Sequence, residues 1–208
     1  MIAGIDHIVY AAPDLALGIK RVEELLGVEA VVGGQHLGRG THNALLALGD
    51  DIYLEIIAPD PAQTSMSSPL WMRVDAIKEP KLIAWAAQSD DLMGLTGLAS
   101  GNSISLGKIS TGSRNLPDGQ VLSWQLTEPN DDTIDWLTPF FIDWGQSPHP
   151  AASLPSAGTL ISLTGSHPQH EKVQDATELL GYKLPTQRGA RVSLNAGIQT
   201  NSGIVVLQ

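Results

Sequence analysis

The 208-residue chain contains no cysteine. That absence removes disulfides, thiolate nucleophiles, iron–sulfur clusters and cysteine-ligated zinc together, so any metal would have to be held by His, Asp, Glu or backbone oxygen. Charge is sparse too: charged residues make up 16% of the chain, and 12 basic against 22 acidic side chains leave a formal net charge of −10. No Lys/Arg cluster offsets this surplus, so a phosphate backbone would be repelled and nucleic acid is not an expected partner. No apolar run approaches the roughly 20 residues that span a bilayer, so no membrane partner is expected either. The first residues show no basic region followed by an apolar stretch and a small-residue cleavage site; no signal peptide is read, and a cytoplasmic location is the expectation. Neither a Gly-x-Ser-x-Gly elbow nor a His-Glu-x-x-His motif occurs, which leaves serine-hydrolase and zincin chemistry without support. The Gly-rich stretch 33–43 lacks the Lys-Ser/Thr ending of a phosphate loop and the spacing of a dinucleotide fingerprint, and reads as a flexible inter-strand connection.

What the chain does contain is repetition. Gly4-Ile5-Asp6-His7-Ile8-Val9-Tyr10 leads into a helical stretch that ends Glu24-Leu25-Leu26-Gly27. Gly158-Thr159-Leu160-Ile161-Ser162-Leu163-Thr164 leads into another that ends Glu178-Leu179-Leu180-Gly181. The interval from first to last glycine is the same in both copies, which points to a repeated strand–helix unit. In the first copy, alternation puts Ile5, His7 and Val9 on one strand face and Asp6, Ile8 and Tyr10 on the other. Asp14 can then accept from the open amides of a helix whose apolar stripe is Leu15, Ile19, Val22 and Leu26, with Gly27 as its left-handed stop. In the late copy, Ser166 and Gln169 form a capping-box signature, Val173, Ala176 and Leu180 the stripe, and Gly181 the stop.

Strand signals follow each helix. Segments 28–33, 43–48 and 52–57 complete a β-α-β-β-β unit over residues 1–60. A second unit over 80–145 has a strand at 82–87, a short helix opened by Asp90-Asp91-Leu92, and strands at 105–109, 121–126 and 140–144, the turn Pro117-Asp118-Gly119 joining two of them. The third, 156–208, has strands only at 192–196 and 204–207 after its helix and reads as a truncated β-α-β-β repeat. The expected fold class is therefore α+β, built from repeated βαβββ modules in one compact unit.

These residues also carry a family resemblance. The run Gly4 to Tyr10, with Asp14-Leu15, Leu26-Gly27 and Gly49-Asp50-Asp51-Ile52-Tyr53-Leu54-Glu55-Ile56, resembles the first module of glyoxalase-like proteins in the vicinal-oxygen-chelate superfamily. Segments 113–124 and 139–150 resemble a branch of that superfamily with a longer second half. The resemblance implies curled mixed sheets around a cupped cavity and, in the metal enzymes of the superfamily, ligands on the first and last strands of each module. It places His7 in the first-strand slot and Glu55 in the last-strand slot of module one. It implies a divalent metal as cofactor and lyase, isomerase or dioxygenase chemistry on a small molecule.

Module two departs from that pattern. Its first strand, Leu82-Ile83-Ala84-Trp85-Ala86, has no coordinating side chain in either register, and Asp143 is the one candidate in 140–144. Both a metal-bound and a metal-free cavity therefore stay open, the latter belonging either to an acid–base enzyme or to a protein that binds or sequesters small molecules. Glu55 shares a strand face with Tyr53 and Ile57, and burying it unpaired would cost on the order of several kcal/mol, so it needs a cation, a proton, a metal or water. His7 and Glu55 are the candidate catalytic pair and the first metal ligands, with His42 and His149 as candidates to complete a shell. Arg39 and Arg114 could meet an anionic group of the substrate. Trp124 and Trp144, and with them Trp85, could line an apolar pocket or simply pack in the core. His167 and His170 read as exposed. The expected partner is a small-molecule ligand, with a homodimer left open.

Overall fold

The computed structural model describes residues 4–115, 121–129 and 137–208, the side chains of Arg114 and Asn115 excepted. The first module runs β1 (Ile5–Ala11), α1 (Leu15–Leu26), β2 (Val31–His36), β3 (Thr41–Ala47) and β4 (Tyr53–Pro59). The second runs β5 (Lys81–Gln88), α2 (Leu92–Gly101), β6 (Ile109–Asn115), β7 (Val121–Thr127) and β8 (Phe140–Asp143). Together they form one eight-stranded sheet in the order β2-β3-β4-β1-β5-β8-β7-β6. The module order is the same read outward from the centre in either direction. Each first strand pairs parallel with its own module's last strand, and β1 pairs antiparallel with β5 at the junction. The fold is thus mixed α+β, with the curled mixed sheet of βαβββ modules making a half-barrel. The turn Pro117-Asp118-Gly119 lies outside the described residues.

Local chemistry explains the elements. Asp14 caps α1 by accepting from the Leu17 amide at 3.0 Å, and Gly27 closes it at φ 75°, donating to the Glu23 carbonyl at 2.7 Å. These contacts satisfy backbone groups that a helix end leaves open. Leu15, Val22 and Leu26 are buried against the sheet with Leu46, Leu54 and Ile56, each apolar side chain contributing roughly 1.5–3 kcal/mol on burial. Gly18 is also on that face; a Cβ there would lie 2.7 Å from Ile56 Cγ2, so the helix sits close because the residue is glycine.

Strand parity sorts β3 and β4 into two layers. Ala44, Leu46, Leu54 and Ile56 face the helices, whereas Asn43, Leu45, Tyr53 and Glu55 line the concave side. In β1 the expected alternation breaks. The register against β5 shifts between Ile5 and His7, a β-bulge at Asp6. Ile5 consequently joins the helix-side core with Ile8 and Tyr10, while Val9 and Ala11 face the concave side. A bulge inserts an unpaired residue and re-aims the side chains around it.

Strand β2 starts three residues later than the sequence pattern suggests and runs through His36, so most of the stretch read as a flexible connection is strand. Only the turn from Leu37 to Gly40 remains, with Gly38 and Gly40 at φ 76° and 72°.

The C-terminal unit starts as the repeat predicts, with β9 (Thr159–His167) entering α3 (His170–Leu179). It then adds a short strand, β10 (Thr186–Arg188), that the β-α-β-β reading lacks, before β11 (Ser193–Thr200) and β12 (Gly203–Leu207). Its four strands make a separate sheet, β10-β9-β11-β12, with β10 parallel to β9. The capping-box reading at Ser166 is corrected: β9 extends through His167, and α3 starts at His170 with Gln169 as N-cap and no side-chain cap. His167 is buried, not exposed, and its Nδ1 accepts from the Gln169 amide at 2.8 Å. Leu160, Leu163, Leu194 and Ile198 share one apolar cluster with Leu82, Trp85 and Phe141 of module two. Among the described residues no helix is long and apolar enough to cross a membrane.

Candidate functional site

The concave side of the eight-stranded sheet encloses a cavity of about 250 Å³. Its floor comes from module one. His7 on β1 and Glu55 on β4 both line it, because β1 and β4 are adjacent and parallel, with Val9 opposite Glu55 and His7 opposite Tyr53. His7 Nε2 and Glu55 Oε2 stand 3.7 Å apart. The imidazole is stacked on Tyr53, ring centroids 4.5 Å apart, and meets the edge of Phe140.

Each of the pair is held from behind. His7 Nδ1 lies 2.6 Å from Asp6 Oδ1, an approach that the bulge in β1 makes available to sequence neighbours. Asp6 is fully buried, and its other oxygen accepts from Trp144 Nε1 at 2.8 Å and meets His149 Nε2 at 3.2 Å. Burial alone would push the Asp6 carboxyl upward, but hydrogen bonds from His149 and His7, together with their charge, hold it down at about 2. It is thus a permanent anion at ordinary pH, and it directs an Nδ1–H toward itself and leaves Nε2 facing the cavity.

Glu55 Oε1 accepts from Asn43 Nδ2 at 2.7 Å. The Asn43 amide cannot turn over, because Asn43 Oδ1 accepts from the Gly34 N–H at 3.0 Å. Asn43 Nδ2 also lies 3.2 Å from His36 Nε2, so His36 accepts there and donates from Nδ1 to Thr41 Oγ1, 2.8 Å away. Oε1 is engaged, and Oε2 is the oxygen turned toward His7.

The opposite wall, from module two, is apolar but for Thr111 and Ser113 on β6. Leu122, Trp124 and Leu126 on β7, Phe140 and Ile142 on β8, and Trp144 line the cavity. The rings of Trp124 and Trp144 lie 5.4 Å apart. Arg39 and Trp71 stand at the mouth, the Arg39 guanidinium 4.4 Å over the Trp71 ring.

The sequence-derived candidates are thus placed unequally. His7, Glu55, Arg39, Trp124 and Trp144 all line the cavity. His42 does not: it alternates with Asn43 on β3, and it is Asn43 that reaches inward. His149 sits behind the floor as a partner of Asp6. Trp85 is in the helix-side core, donating to the Leu137 carbonyl at 2.8 Å. Arg114 is on β6, but its side chain lies outside the described residues. Asp6, His36, Asn43 and Trp71 escaped the sequence reading. A hairpin reading of Gly38 and Gly40 would have extended β2 and found His36; alternation argued against Asp6.

The resemblance implies a metal centre with ligands from both modules. The module-two positions nearest His7 and Glu55 are Ala84 and Ala86 on β5 and Phe140 and Ile142 on β8, none of which coordinates. Among the described residues no group of three or more His, Asp or Glu is arranged to hold a metal ion. The residues present do not fit a four-ligand centre.

Residues 5–181 match a family model described as a glyoxalase-like domain. No curated protein matches the sequence. Among solved structures, a hypothetical protein from Staphylococcus aureus aligns over 97% of this chain and 97% of its own, at 13% identity and a TM-score of 0.70. A mutant 4-hydroxymandelate synthase from Streptomyces coelicolor aligns over 98% of this chain and 61% of its own, at 14% identity and a TM-score of 0.54. Methylmalonyl-CoA epimerase from Mycobacterium tuberculosis covers 73% of this chain and 93% of its own, at 17% identity and a TM-score of 0.40. At these identities the likeness is one of fold.

Proposed function

Since the chain belongs to the glyoxalase-like domain family, with the fold of the vicinal-oxygen-chelate superfamily, we propose that it is an acid–base enzyme of the isomerase or lyase type. Its substrate is a small molecule held in the inter-module cavity, and Glu55 and His7 move the proton. The observation that carries this reading is the opposition of Glu55 Oε2 and His7 Nε2 across 3.7 Å, each fixed from behind, by Asn43 and Asp6. Two groups so placed can remove a proton from one atom and deliver one to its neighbour. With a carbonyl substrate, Glu55 takes the proton from the carbon beside the carbonyl and protonated His7 gives its Nε2 proton to the carbonyl oxygen, leaving an enol and a neutral imidazole. Returning the protons to different atoms isomerises the substrate; expelling a group from the enol is a lyase reaction. While His7 is protonated, the Asp6 anion stabilises the imidazolium without taking its proton.

The metal-dependent form of this chemistry, and a dioxygenase in particular, would call for ligands on β5 and β8, where Ala84, Ala86, Phe140 and Ile142 stand. The aromatic wall favours a second reading, a protein that binds or sequesters a small molecule without turnover. In either case a cytoplasmic protein acting on a small molecule is the setting we infer, from the acidic, cysteine-free composition.

Deuterium wash-in separates the readings. The protein, treated with EDTA and returned to D₂O, is incubated with a panel of small aromatic and aliphatic ketones and aldehydes, and exchange beside the carbonyl is followed by NMR. We expect exchange that survives EDTA and drops by about two orders of magnitude or more in Glu55→Gln. Exchange that requires an added divalent ion would sink the metal-free reading, and ligand binding with no exchange across the panel would favour the second one.

A further inference from the structure

Arg39 is the one Arg or Lys side chain that lines the cavity among the described residues. It is already paired. Its Nη1 and Nη2 donate to Glu128 Oε2 and Oε1 at 2.9 and 2.6 Å, a two-point contact that matches the fork of the guanidinium to the carboxylate. Glu128 receives two more donors, Trp71 Nε1 on Oε2 at 2.9 Å and Ser110 Oγ on Oε1 at 2.5 Å. A carboxylate has about four acceptor positions, and here four donors take them. These groups come from separate parts of the chain: the β2–β3 turn, the segment between the modules, and the β6 and β7 ends of module two.

We propose that Glu128 is a specificity-determining residue: by neutralising Arg39 at the mouth, it makes the cavity select uncharged ligands over anionic ones. The inference rests on the reading of this cavity as the ligand site and narrows its ligand class to neutral, partly aromatic molecules with a hydrogen-bonding group. An anion that reached Arg39 would find the charge already compensated by a carboxylate held by four donors, and a two-point contact on the Nη1–Nη2 edge would require displacing it. Deeper in, it would meet Glu55 and an aromatic wall that carries no Lys or Arg among the described residues. A neutral ring with a carbonyl loses nothing at the mouth, stacks on Trp124 or Trp144 and presents its polar group to His7 and Glu55. The sequence suggested that Arg39 would bind an anionic group of the substrate; the ion pair with Glu128 argues for the reverse.

Benzamide and benzoate provide the test, since they match in size and differ in charge at pH 7. Dissociation constants are measured by tryptophan fluorescence quenching and by NMR saturation transfer. For the unmodified protein we expect benzamide to bind about tenfold more tightly than benzoate, the discrimination that about 1.4 kcal/mol provides. In Glu128→Gln, which releases the Arg39 charge, the ratio falls to about one or inverts. In the double variant Arg39→Met/Glu128→Gln the preference for benzamide returns, because the released cation is gone. Trp71→Phe is a milder variant that keeps a ring under Arg39 and removes one donor orienting Glu128; it should lower the ratio by about twofold or more. Equal affinities in the unmodified protein, or a ratio that neither Glu128→Gln nor Trp71→Phe changes, overturn the inference while leaving the cavity reading intact. Failure of both probes to bind any of these proteins overturns the cavity reading, and this inference with it.

Discussion

Asn43 and Glu55 meet diagonally across adjacent antiparallel strands, Asn43 being opposite Ile57 and Glu55 opposite Leu45, and their polarity is fixed: the Asn43 amide nitrogen lies 2.7 Å from Glu55 Oε1 and the Gly34 N–H holds the amide oxygen. The buried carboxylate is thereby given one strong donor and a single orientation. A buried acceptor that loses its donor costs about 1–3 kcal/mol. Asn43→Ala should therefore destabilise the protein by that amount, and a double-mutant cycle with Glu55→Gln should show a coupling of about 1 kcal/mol or more. Additive single effects in denaturant titrations would show that the two side chains do not depend on each other.

Asp6 predicts a pH dependence. Its carboxyl is depressed from 3.8 to about 2, against the upward push of burial, by its contacts with His149 and His7. A depressed folded-state value means that the stabilisation is fully present above the unfolded value near 4 and is lost as pH falls through about 2. We expect Asp6→Asn to cost about 2 kcal/mol at pH 7, on the order of the linkage from a shift of this size. The gap to the unmodified protein should narrow steadily between pH 4 and pH 2. Urea titrations at pH 7 and near pH 2 check this, and a gap of equal size at both would contradict the assignment.

Gly18 should behave against helix propensity. In an exposed helix interior, glycine to alanine gains up to about 1 kcal/mol. Here the added Cβ would lie 2.7 Å from Ile56 Cγ2 and 2.9 Å from Ala12 Cβ, and forcing α1 off the sheet costs about 1–3 kcal/mol. Gly18→Ala is expected to lower the thermal midpoint, whereas a raised midpoint would mean that α1 is free to shift.

Trp124 should report on the cavity. It lines the wall beside Trp144, whose indole N–H is committed to Asp6. Loss of an aromatic contact is worth about 0.5–1.5 kcal/mol beyond area. Trp124→Leu should therefore weaken benzamide binding by roughly two- to tenfold and remove much of the fluorescence change. Binding and quenching equal to the unmodified protein would place the ligand elsewhere.

Much of the architecture was legible in local pattern. Asp14, the apolar stripe and Gly27 specify α1 from a single helical turn at either end and a period of 3.6. Alternation in Asn43–Ala47 and Tyr53–Ile57 assigns the faces of β3 and β4, because each strand has one side toward helices and one toward the cavity. The same alternation brings His7 and Glu55 onto one side. His42 shows the limit of reading by residue type: its chemistry suggests a ligand, but its parity faces it away and leaves the position to Asn43.

What lay outside local pattern has a common cause. The bulge at Asp6 arises from the register of β1 against β5, roughly eighty positions on in the sequence, and no period within β1 encodes it; yet it decides that a carboxylate stands behind His7. The Arg39–Glu128 pair likewise joins residues far apart in the chain, so Arg39 by itself read as a contact for an anionic group and Glu128 gave no sign of its partner. By itself the sequence determined most of the elements, the buried faces of α1, β3 and β4, and the absence of thiol chemistry, because these depend on side chains a few residues apart. Only the tertiary structure decided which charges are paired, which oxygen of Glu55 is engaged and which face of His7 is open, because each depends on a partner delivered by another strand.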